Sequence, residues 1–239
     1  FGQERLSYRA VDDAVWRYSQ HLHDHGIRAG DVLGLTVSDE LTLVLTLLAS
    51  VRLGATAYSI PRTATAVQRE AMIARGRIKA LATDQPERTD TGRPLPVSRA
   101  IMNAARPPHA VDILCASPQA PWLLITGSGT TGFPKLIPIA HAETAARSRM
   151  ATQALGVTRS DCVASLSHFD FSTSKFRLHE ALSVGAAYAL GIWESGDPLV
   201  AIRQHHVSVI YGTVFHIETL LARLPPGSRP HSASPGPRC

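Results

Sequence analysis

Residues 122–135 read Trp122-Leu-Leu-Ile-Thr-Gly-Ser-Gly-Thr-Thr-Gly-Phe-Pro-Lys135. A short apolar run leads into a loop of glycines and small hydroxylated residues, namely Gly127, Ser128, Gly129, Thr130, Thr131 and Gly132. Glycine lets the backbone take a positive φ and come close to a ligand. The hydroxyls and the Lys135 ammonium add donors to the backbone N–H groups. This convergence predicts a cradle for a polyphosphate, and ATP is the ligand that it indicates.

Two other glycine-rich motifs do not fit this loop. Its glycines match G-x-G-x-x-G, but that fingerprint needs its last glycine to open a helix whose N-terminus meets the pyrophosphate. Here Phe133-Pro134 follows, and residues 136–140 have the pattern of a strand. The Walker pattern needs Lys-Ser or Lys-Thr directly after the last glycine, where this chain has Phe133. A hairpin that binds phosphate therefore remains, with a hairpin that binds nothing as the alternative.

The loop resembles the phosphate loop of the adenylate-forming superfamily: acyl- and aryl-CoA ligases, luciferases and the adenylation domains of peptide synthetases. Its usual form there is Thr-Ser-Gly-Thr-Thr-Gly-x-Pro-Lys-Gly. This chain has Ser128-Gly-Thr-Thr-Gly-Phe-Pro-Lys135, with Gly127 in place of the first Thr and Leu136 in place of the last Gly. Less specific similarities at residues 27–31, 47–61 and 81–84 and at His141 extend the resemblance over about residues 5–224.

The resemblance implies an enzyme that joins a carboxylic acid to a thiol through an acyl-adenylate. It implies that residues 124–135 hold ATP, and that the thiol belongs to CoA or to a carrier phosphopantetheine. Lys135 is the catalytic candidate. The phosphate-binding candidates are Gly127, Ser128, Gly129, Thr130, Thr131, Gly132 and Lys135.

The acid-binding region implied by the resemblance is Ser167-His-Phe-Asp-Phe-Ser172. CoA ligases often carry a His here, between the acyl group and the thiol, which makes His168 one substrate-binding candidate. Amino-acid-activating members carry Phe-Asp-x-Ser, whose Asp pairs with the substrate ammonium, which makes Asp170 the other. Residues 182–186 and 209–212 are similar to benzoate-type aryl-CoA ligases and favour an acyl or aryl acid, with an amino acid as the alternative. A polar strand-to-helix turn without a ligand is a third interpretation.

Composition argues against several other classes of function. The 239 residues carry a net charge of +5, but the basic residues are scattered and not interleaved with aromatics, so we expect no nucleic-acid partner. The longest apolar stretch, around residues 41–48, is too short to cross a bilayer, and the charged start differs from a signal peptide. We therefore expect a cytoplasmic protein without a membrane partner. Three widely spaced cysteines give no disulfide or metal pattern.

Two further motifs are interpreted as incidental. In His21-Leu-His-Asp-His25, two histidines share a helical face, but no separate Cys or His pair completes a metal site. Ser172-Thr-Ser-Lys175 matches the Ser-x-x-Lys of β-lactamases, whose companion motifs are missing here.

Hydrophobic periodicity predicts alternating helices and strands. Helices are expected between Ser7 and Gly26, from 38–40 to Gly54, and over 66–75, 143–155, 175–184, 198–205 and 214–224. Strands are expected over 32–37, 56–60, 78–83, 111–115, 162–166, 186–190 and 207–211, with a surface excursion at 85–109. Such alternation predicts an α/β fold of mostly parallel sheets with helices on both faces. The resemblance makes it the N-terminal portion of the large domain of adenylate-forming enzymes.

We expect residues 1–224 to form a partial AMP-binding domain, and the Pro-, Ser- and Arg-rich residues 225–239 to form a disordered tail, as after a frameshift. The resemblance also leads us to expect a Mg²⁺-binding Glu in Tyr-Gly-x-Thr-Glu, a ribose-binding Asp in Thr-Gly-Asp and a late catalytic Lys. Tyr211-Gly-Thr-Val-Phe215 has Phe at the Glu position, and Ser195-Gly-Asp197 comes too early. Activity of these residues alone is therefore doubtful. The rival hypotheses are a non-catalytic nucleotide-binding remnant and a half that pairs with a second polypeptide.

Overall fold

The computed structural model describes residues 4–61, 63–88, 92–105, 117–127 and 135–224. The chain divides into two compact units, Phe1–Glu143 and Thr144–Cys239. None of the helices in the described ranges combines the length and the apolar character needed to cross a bilayer. The strand expected at 111–115 and the tail at 225–239 lie outside the described residues.

The first unit is built on one sheet. Its strands are β1 (Val32–Thr36), β2 (Thr56–Ser59), β3 (Ile78–Thr83), β4 (Pro94–Pro96), β5 (Pro121–Gly127) and β6 (Lys135–Ala140). They lie in the order β4-β3-β1-β2-β5-β6, and every neighbouring pair is parallel except the antiparallel hairpin of β5 and β6. The expected α/β class with mostly parallel strands is confirmed.

Three helices of the first unit begin at residues whose side chains cap them. They are α1 (Tyr8–Asp24), α2 (Glu40–Arg52) and α3 (Ala66–Gly76), capped by Ser7, Asp39 and Thr65. The α2 crossover leads from β1 to β2, and the α3 crossover leads from β2 across β1 to β3. Since crossovers between parallel strands are right-handed, these opposite directions place α2 and α3 on opposite faces of the sheet.

The prediction that residues 85–109 form a surface excursion is wrong for residues 94–97. Residues Pro94–Pro96 form β4, which pairs in parallel with β3, and Leu95 and Val97 are buried. Two apolar residues in a polar stretch are too few to show a period. They reach the core only because β3 offers a free edge for pairing. Tyr18 then donates a hydrogen bond of 2.8 Å to the carbonyl of Ser98, which fastens the following turn to α1.

Asp39 joins the start of α2 to Arg99. Its carboxylate accepts from the Thr42 backbone N–H at 2.9 Å, and from Nε and Nη2 of Arg99 at 2.9 and 2.7 Å. Burial acts to raise the pKa of Asp39, but the hydrogen bonds outweigh it and hold the pKa below its ordinary value of 3.8. Because the pKa is lower in the folded state, the carboxylate stabilises the fold at pH values above 3.8. This stabilisation is lost as the pH falls through the folded-state pKa.

We expect Asp39→Ala to lower the free energy of unfolding by about 1 kcal/mol at pH 7, the usual effect of losing an N-cap. The difference from the wild type should shrink as the pH falls from 5 to 2, because the wild-type carboxylate becomes protonated. Urea unfolding at several pH values measures both effects. Asp39→Asn, which keeps a capping oxygen, is the control and should lose less. A difference that stays constant down to pH 2 would contradict this assignment.

The second unit contains a smaller parallel sheet. Its strands are β7 (Cys162–Ser165), β8 (Ala187–Ala189) and β9 (Val209–Tyr211), in the order β8-β7-β9. Its helices are α5 (Ser172–Val184), α6 (Pro198–Gln204) and α7 (Val214–Ala222), and α4 (His141–Leu155) leads into it from the first unit. Val163 and Ala164, adjacent on β7, belong to two different core clusters. Adjacent strand residues point to opposite faces, so both faces of this sheet are covered.

Candidate functional site

The β5–β6 hairpin carries both ends of the expected phosphate loop. Gly127 ends β5 and pairs with Lys135, which begins β6. The other phosphate-binding candidates lie outside the described residues: Ser128, Gly129, Thr130, Thr131 and Gly132. Because β5 runs parallel to β2, the loop leaves the sheet at the carboxyl edge of the parallel strands. In sheets of this kind, ligands bind outside that edge.

Gly127 does not have the positive φ that was expected of it. It is instead extended, because it belongs to the antiparallel ladder opposite Lys135. A Cβ at this position would lie 3.1 Å from Cδ1 of Ile137. The glycine therefore relieves a close contact across the hairpin rather than enabling a left-handed turn.

Lys135 is exposed at the mouth of the hairpin. Its backbone is fixed by the ladder, while a four-carbon stem lets the ammonium move towards a ligand. With a fixed backbone and a flexible side chain, Lys135 could keep its positive charge next to a phosphate group that moves during a reaction. The catalytic role of Lys135 remains a prediction.

His168 and Asp170 lie together in the second unit, in the loop between β7 and α5. This loop also follows the carboxyl end of a parallel strand. Nδ1 of His168 is 3.2 Å from Oδ2 of Asp170, and it also lies 3.1 Å from the backbone nitrogen of Asp170. A single ring nitrogen cannot serve both groups, since it needs a proton to donate to the carboxylate and a lone pair to accept from the N–H. Whether Nδ1 of His168 carries a proton therefore decides which of these two hydrogen bonds forms.

The carboxylate of Asp170 is buried, with 11% of its side chain exposed. Within the described residues, its Oδ1 atom has no hydrogen-bond partner. A buried carboxylate oxygen without a donor costs free energy, and a donor brought by a ligand would recover it. Asp170 is thus suited to bind a group that carries N–H or O–H donors.

Two residues of the first turn of α5 support this loop, and the sequence interpretation missed both. Oγ of Ser174 lies 2.8 Å from the carbonyl oxygen of Ser167. Nζ of Lys175 lies 2.5 Å from the carbonyl oxygen of Phe169 and 2.9 Å from that of Asp170. The motif that ends in Lys175 was set aside as incidental. Lys175 itself was a usable signal in the sequence. A cation is disfavoured in the first turn of a helix, so its presence there indicates another role.

His21, near the end of α1, and His25, the residue after α1, lie against backbone carbonyl groups. Nε2 of His21 is 2.8 Å from the carbonyl oxygen of Pro96, and Nδ1 of His25 is 2.8 Å from that of His21. Burial lowers the pKa of His21 and favours its neutral form. These contacts fasten the end of α1.

Comparisons with known proteins agree with the fold. A profile of the AMP-binding enzyme family matches residues 1–235. The chain superposes on O-succinylbenzoate coenzyme A synthetase (MenE) from Bacillus subtilis with a TM-score of 0.82 and 18% identity, over 95% of this chain and 60% of that one. On the N-terminal subdomain of Klebsiella oxytoca NpsA the TM-score is 0.72 with 22% identity, over 88% of this chain and 55% of that one.

Curated relatives by sequence are larger proteins. The hybrid PKS-NRPS synthetase pvhA of Talaromyces variabilis is 25% identical over 90% of this chain, which spans 6% of that protein. The L-proline–[L-prolyl-carrier protein] ligase of Streptomyces coelicolor is 35% identical over 46% of this chain, or 21% of the ligase. Because the family profile covers residues 1–235 of 239, the chain belongs to the AMP-binding enzyme family, with the fold of the N-terminal part of adenylate-forming enzymes.

Proposed function

We propose that this chain belongs to an enzyme that activates a carboxylic acid with ATP and passes the acyl group to a thiol. The observation that carries the proposal is the family match over nearly the whole chain. The hairpin that carries the Ser128–Lys135 motif, at the carboxyl edge of the first sheet, supports it. ATP enters such a reaction as its magnesium complex, so the ion arrives with the substrate. MenE has been crystallised with ATP and a magnesium ion.

In the first step, a carboxylate oxygen of the acid attacks the α-phosphorus of ATP. The bond from that phosphorus to the oxygen bridging to the β-phosphorus breaks, and pyrophosphate leaves with the electron pair. The loop amides, Ser128, Thr130, Thr131 and Lys135 hold the β- and γ-phosphates. Their contribution is positioning, together with neutralisation of the negative charge that grows on pyrophosphate.

In the second step, the sulfur of a thiol attacks the acyl carbon of the adenylate. AMP leaves, the thiol proton is lost, and a thioester forms. CoA and a carrier phosphopantetheine have the same reactive end. His168, at the loop after β7, is the residue that we assign to the path between acyl group and thiol. Its half-buried imidazole can gate that path or donate a hydrogen bond.

For the acid itself, we propose one that carries an amino group. The sequence favours an acyl or aryl acid. The burial of Asp170 supports the alternative, as does its Oδ1 atom, which has no hydrogen-bond partner in the part of the chain that the structure describes. An ammonium would supply both the missing donor and the opposite charge that a buried carboxylate requires. The names of related proteins include both classes, since one is an L-proline ligase and NpsA has been crystallised with 3-hydroxybenzoyl and 3-hydroxyanthranilyl ligands.

ATP–pyrophosphate exchange with matched acids tests this proposal. Each pair differs by an aliphatic amino group alone, which is an ammonium at neutral pH: phenylalanine and 3-phenylpropanoate, or 3-(aminomethyl)benzoate and 3-methylbenzoate. We expect exchange with the amine-bearing member of a pair. Exchange only with amine-free acids would return the assignment to the acyl or aryl class. ATP binding without exchange for any acid would leave the non-catalytic alternative.

Asp170→Asn should lower kcat/KM for an amine-bearing acid roughly 10- to 100-fold, because a hydrogen bond to a charged group contributes about 1.5–3 kcal/mol. For the matching amine-free acid, Asp170→Asn should change kcat/KM little. Asp197→Asn is the control in the same unit, because Asn can replace Asp as the N-cap of α6. Equal losses for both members of a pair would show that Asp170 does not recognise the amine.

A further inference from the structure

The side chain of Lys175 is buried beneath the loop that carries His168 and Asp170. The residue is 1% exposed, although its charged ammonium prefers water. Its Nζ lies 2.5, 2.9 and 3.5 Å from the carbonyl oxygens of Phe169, Asp170 and Phe171. The first two distances are those of strong charge-assisted hydrogen bonds, and the third contact is weak. The phenyl ring of Phe169, 5.4 Å away, adds a cation–π contact.

This arrangement fixes the backbone on both sides of Asp170. The carbonyl of Phe169 belongs to the peptide plane before Asp170, and the carbonyl of Asp170 belongs to the plane after it. Because each peptide is planar, holding both carbonyls on one nitrogen restricts φ and ψ of Asp170 together. Those two angles set the direction of the Cα–Cβ bond. Through these backbone contacts, Lys175 restricts the direction in which the Asp170 carboxylate points.

Ser174 contacts the part of the loop that lies nearer to β7. Its Oγ lies 2.8 Å from the carbonyl oxygen of Ser167 and 3.3 Å from that of His168. Ser174 has one hydroxyl proton, so the carbonyl of Ser167, at the shorter distance, is its main acceptor. Ser174 and Lys175 together thus hold the carbonyls of Ser167, Phe169 and Asp170 at 2.9 Å or less. Helix stability does not explain the choice of lysine, since a cation in the first turn of α5 opposes the helix dipole.

We infer that Lys175 is a positioning residue for acid recognition: its buried ammonium holds the carbonyls of Phe169 and Asp170 and so orients the carboxylate that binds the substrate amine. The inference rests on the proposed function, in which Asp170 binds that amine. It concerns specificity for the acid and not the binding of ATP. Lys175 is the buried member of the three lysines of the chain, and Lys79 and Lys135 are exposed.

The test compares Lys175→Met, which keeps the length of the side chain and removes the ammonium, with the wild type in pyrophosphate exchange. We expect KM for the acid to rise about tenfold, as a small misplacement of a binding group does, while KM for ATP stays unchanged. Lys79→Met makes the same chemical change at an exposed site and should alter neither constant. Lys175→Gln, which retains two N–H donors, should restore part of the lost affinity. It is also the variant to use if Lys175→Met does not fold.

A double-mutant cycle separates positioning from general destabilisation. If Lys175 acts through Asp170, Lys175→Met should change KM for the acid less than about twofold when Asp170→Asn is already present. A full tenfold change in that background, or an equal rise of KM for ATP, would overturn the inference.

Amide hydrogen exchange keeps the test independent of the reaction. The N–H of Phe171 donates to the carbonyl of His168 at 3.1 Å and reports on the order of the loop. Lys175→Met should speed its exchange while the amides of β7 keep their protection. If the wild type shows no acid-dependent exchange of pyrophosphate, the proposed function fails. Faster hydrogen exchange of the Phe171 amide in Lys175→Met would still establish that Lys175 holds the backbone of the loop. An unchanged hydrogen-exchange rate at Phe171 overturns this role of Lys175.

Discussion

Lys135→Ala is expected to slow acid-dependent pyrophosphate exchange about 100- to 1000-fold, the usual effect of removing one donor that faces a developing negative charge. The free energy of unfolding should stay within about 0.5 kcal/mol of the wild type, because the side chain is exposed at the mouth of the hairpin. The charge would be missing where pyrophosphate departs, so the chemical step should suffer more than acid binding. Exchange rates and urea unfolding measure the two effects separately.

Lys79→Ala is the matched control for this prediction. Lys79 is exposed in the same unit and pairs with Asp31 at 2.7 Å, an ion pair of small energetic weight at a surface. It should leave the exchange rate unchanged. A normal exchange rate in Lys135→Ala would contradict the catalytic assignment of that lysine, and a large loss of stability would show that it serves the fold instead.

Phe169→Ala is expected to lower the free energy of unfolding by about 3–5 kcal/mol, as for other buried aromatic truncations. Phe169 is 1% exposed. Its ring meets Tyr188 edge to face, with the centroids 6.5 Å apart, and lies near the ammonium of Lys175. The truncation would leave a cavity and remove the cation–π partner of a buried charge. Chemical unfolding measures the loss.

Phe171→Ala provides the comparison on the other side of Asp170. Phe171 is 65% exposed, so its truncation should change the free energy of unfolding by less than about 0.5 kcal/mol. Two phenylalanines that flank one aspartate are thus expected to differ several-fold in their effect on stability. Similar losses for the two variants would mean that the loop does not pack as described.

Much of the fold follows from local patterns. The caps near Ser7 and Asp39 and the apolar periods predicted the first three helices to within a few residues. The Thr65 cap of the third helix was seen only in the structure. The first helix after β7 was placed three residues too late, at 175 instead of Ser172, because residues 172–174 are polar and show no apolar period. The phosphate-loop motif indicates the family, and the family match confirms it.

Other features depend on neighbours that are distant in the sequence. Pro94–Pro96 becomes a strand only beside the edge of β3, and Gly127 stays extended only because Lys135 lies opposite it. The sequence placed His168 and Asp170 in one acid-binding region. It did not show that one nitrogen of His168 approaches both the carboxylate and the backbone of Asp170.

The sequence by itself determined the class of fold, the family and the positions of the candidate site residues, because caps, periodicity and the motif of residues 124–135 are local properties. Only the tertiary structure decided that Lys175 is buried and contacts the loop that carries His168 and Asp170. Burial of a charge depends on what packs around it: Phe169 and the carbonyls of residues 169–171 surround the ammonium, and Tyr188 from β8 packs against Phe169. No local pattern encodes such a set of neighbours.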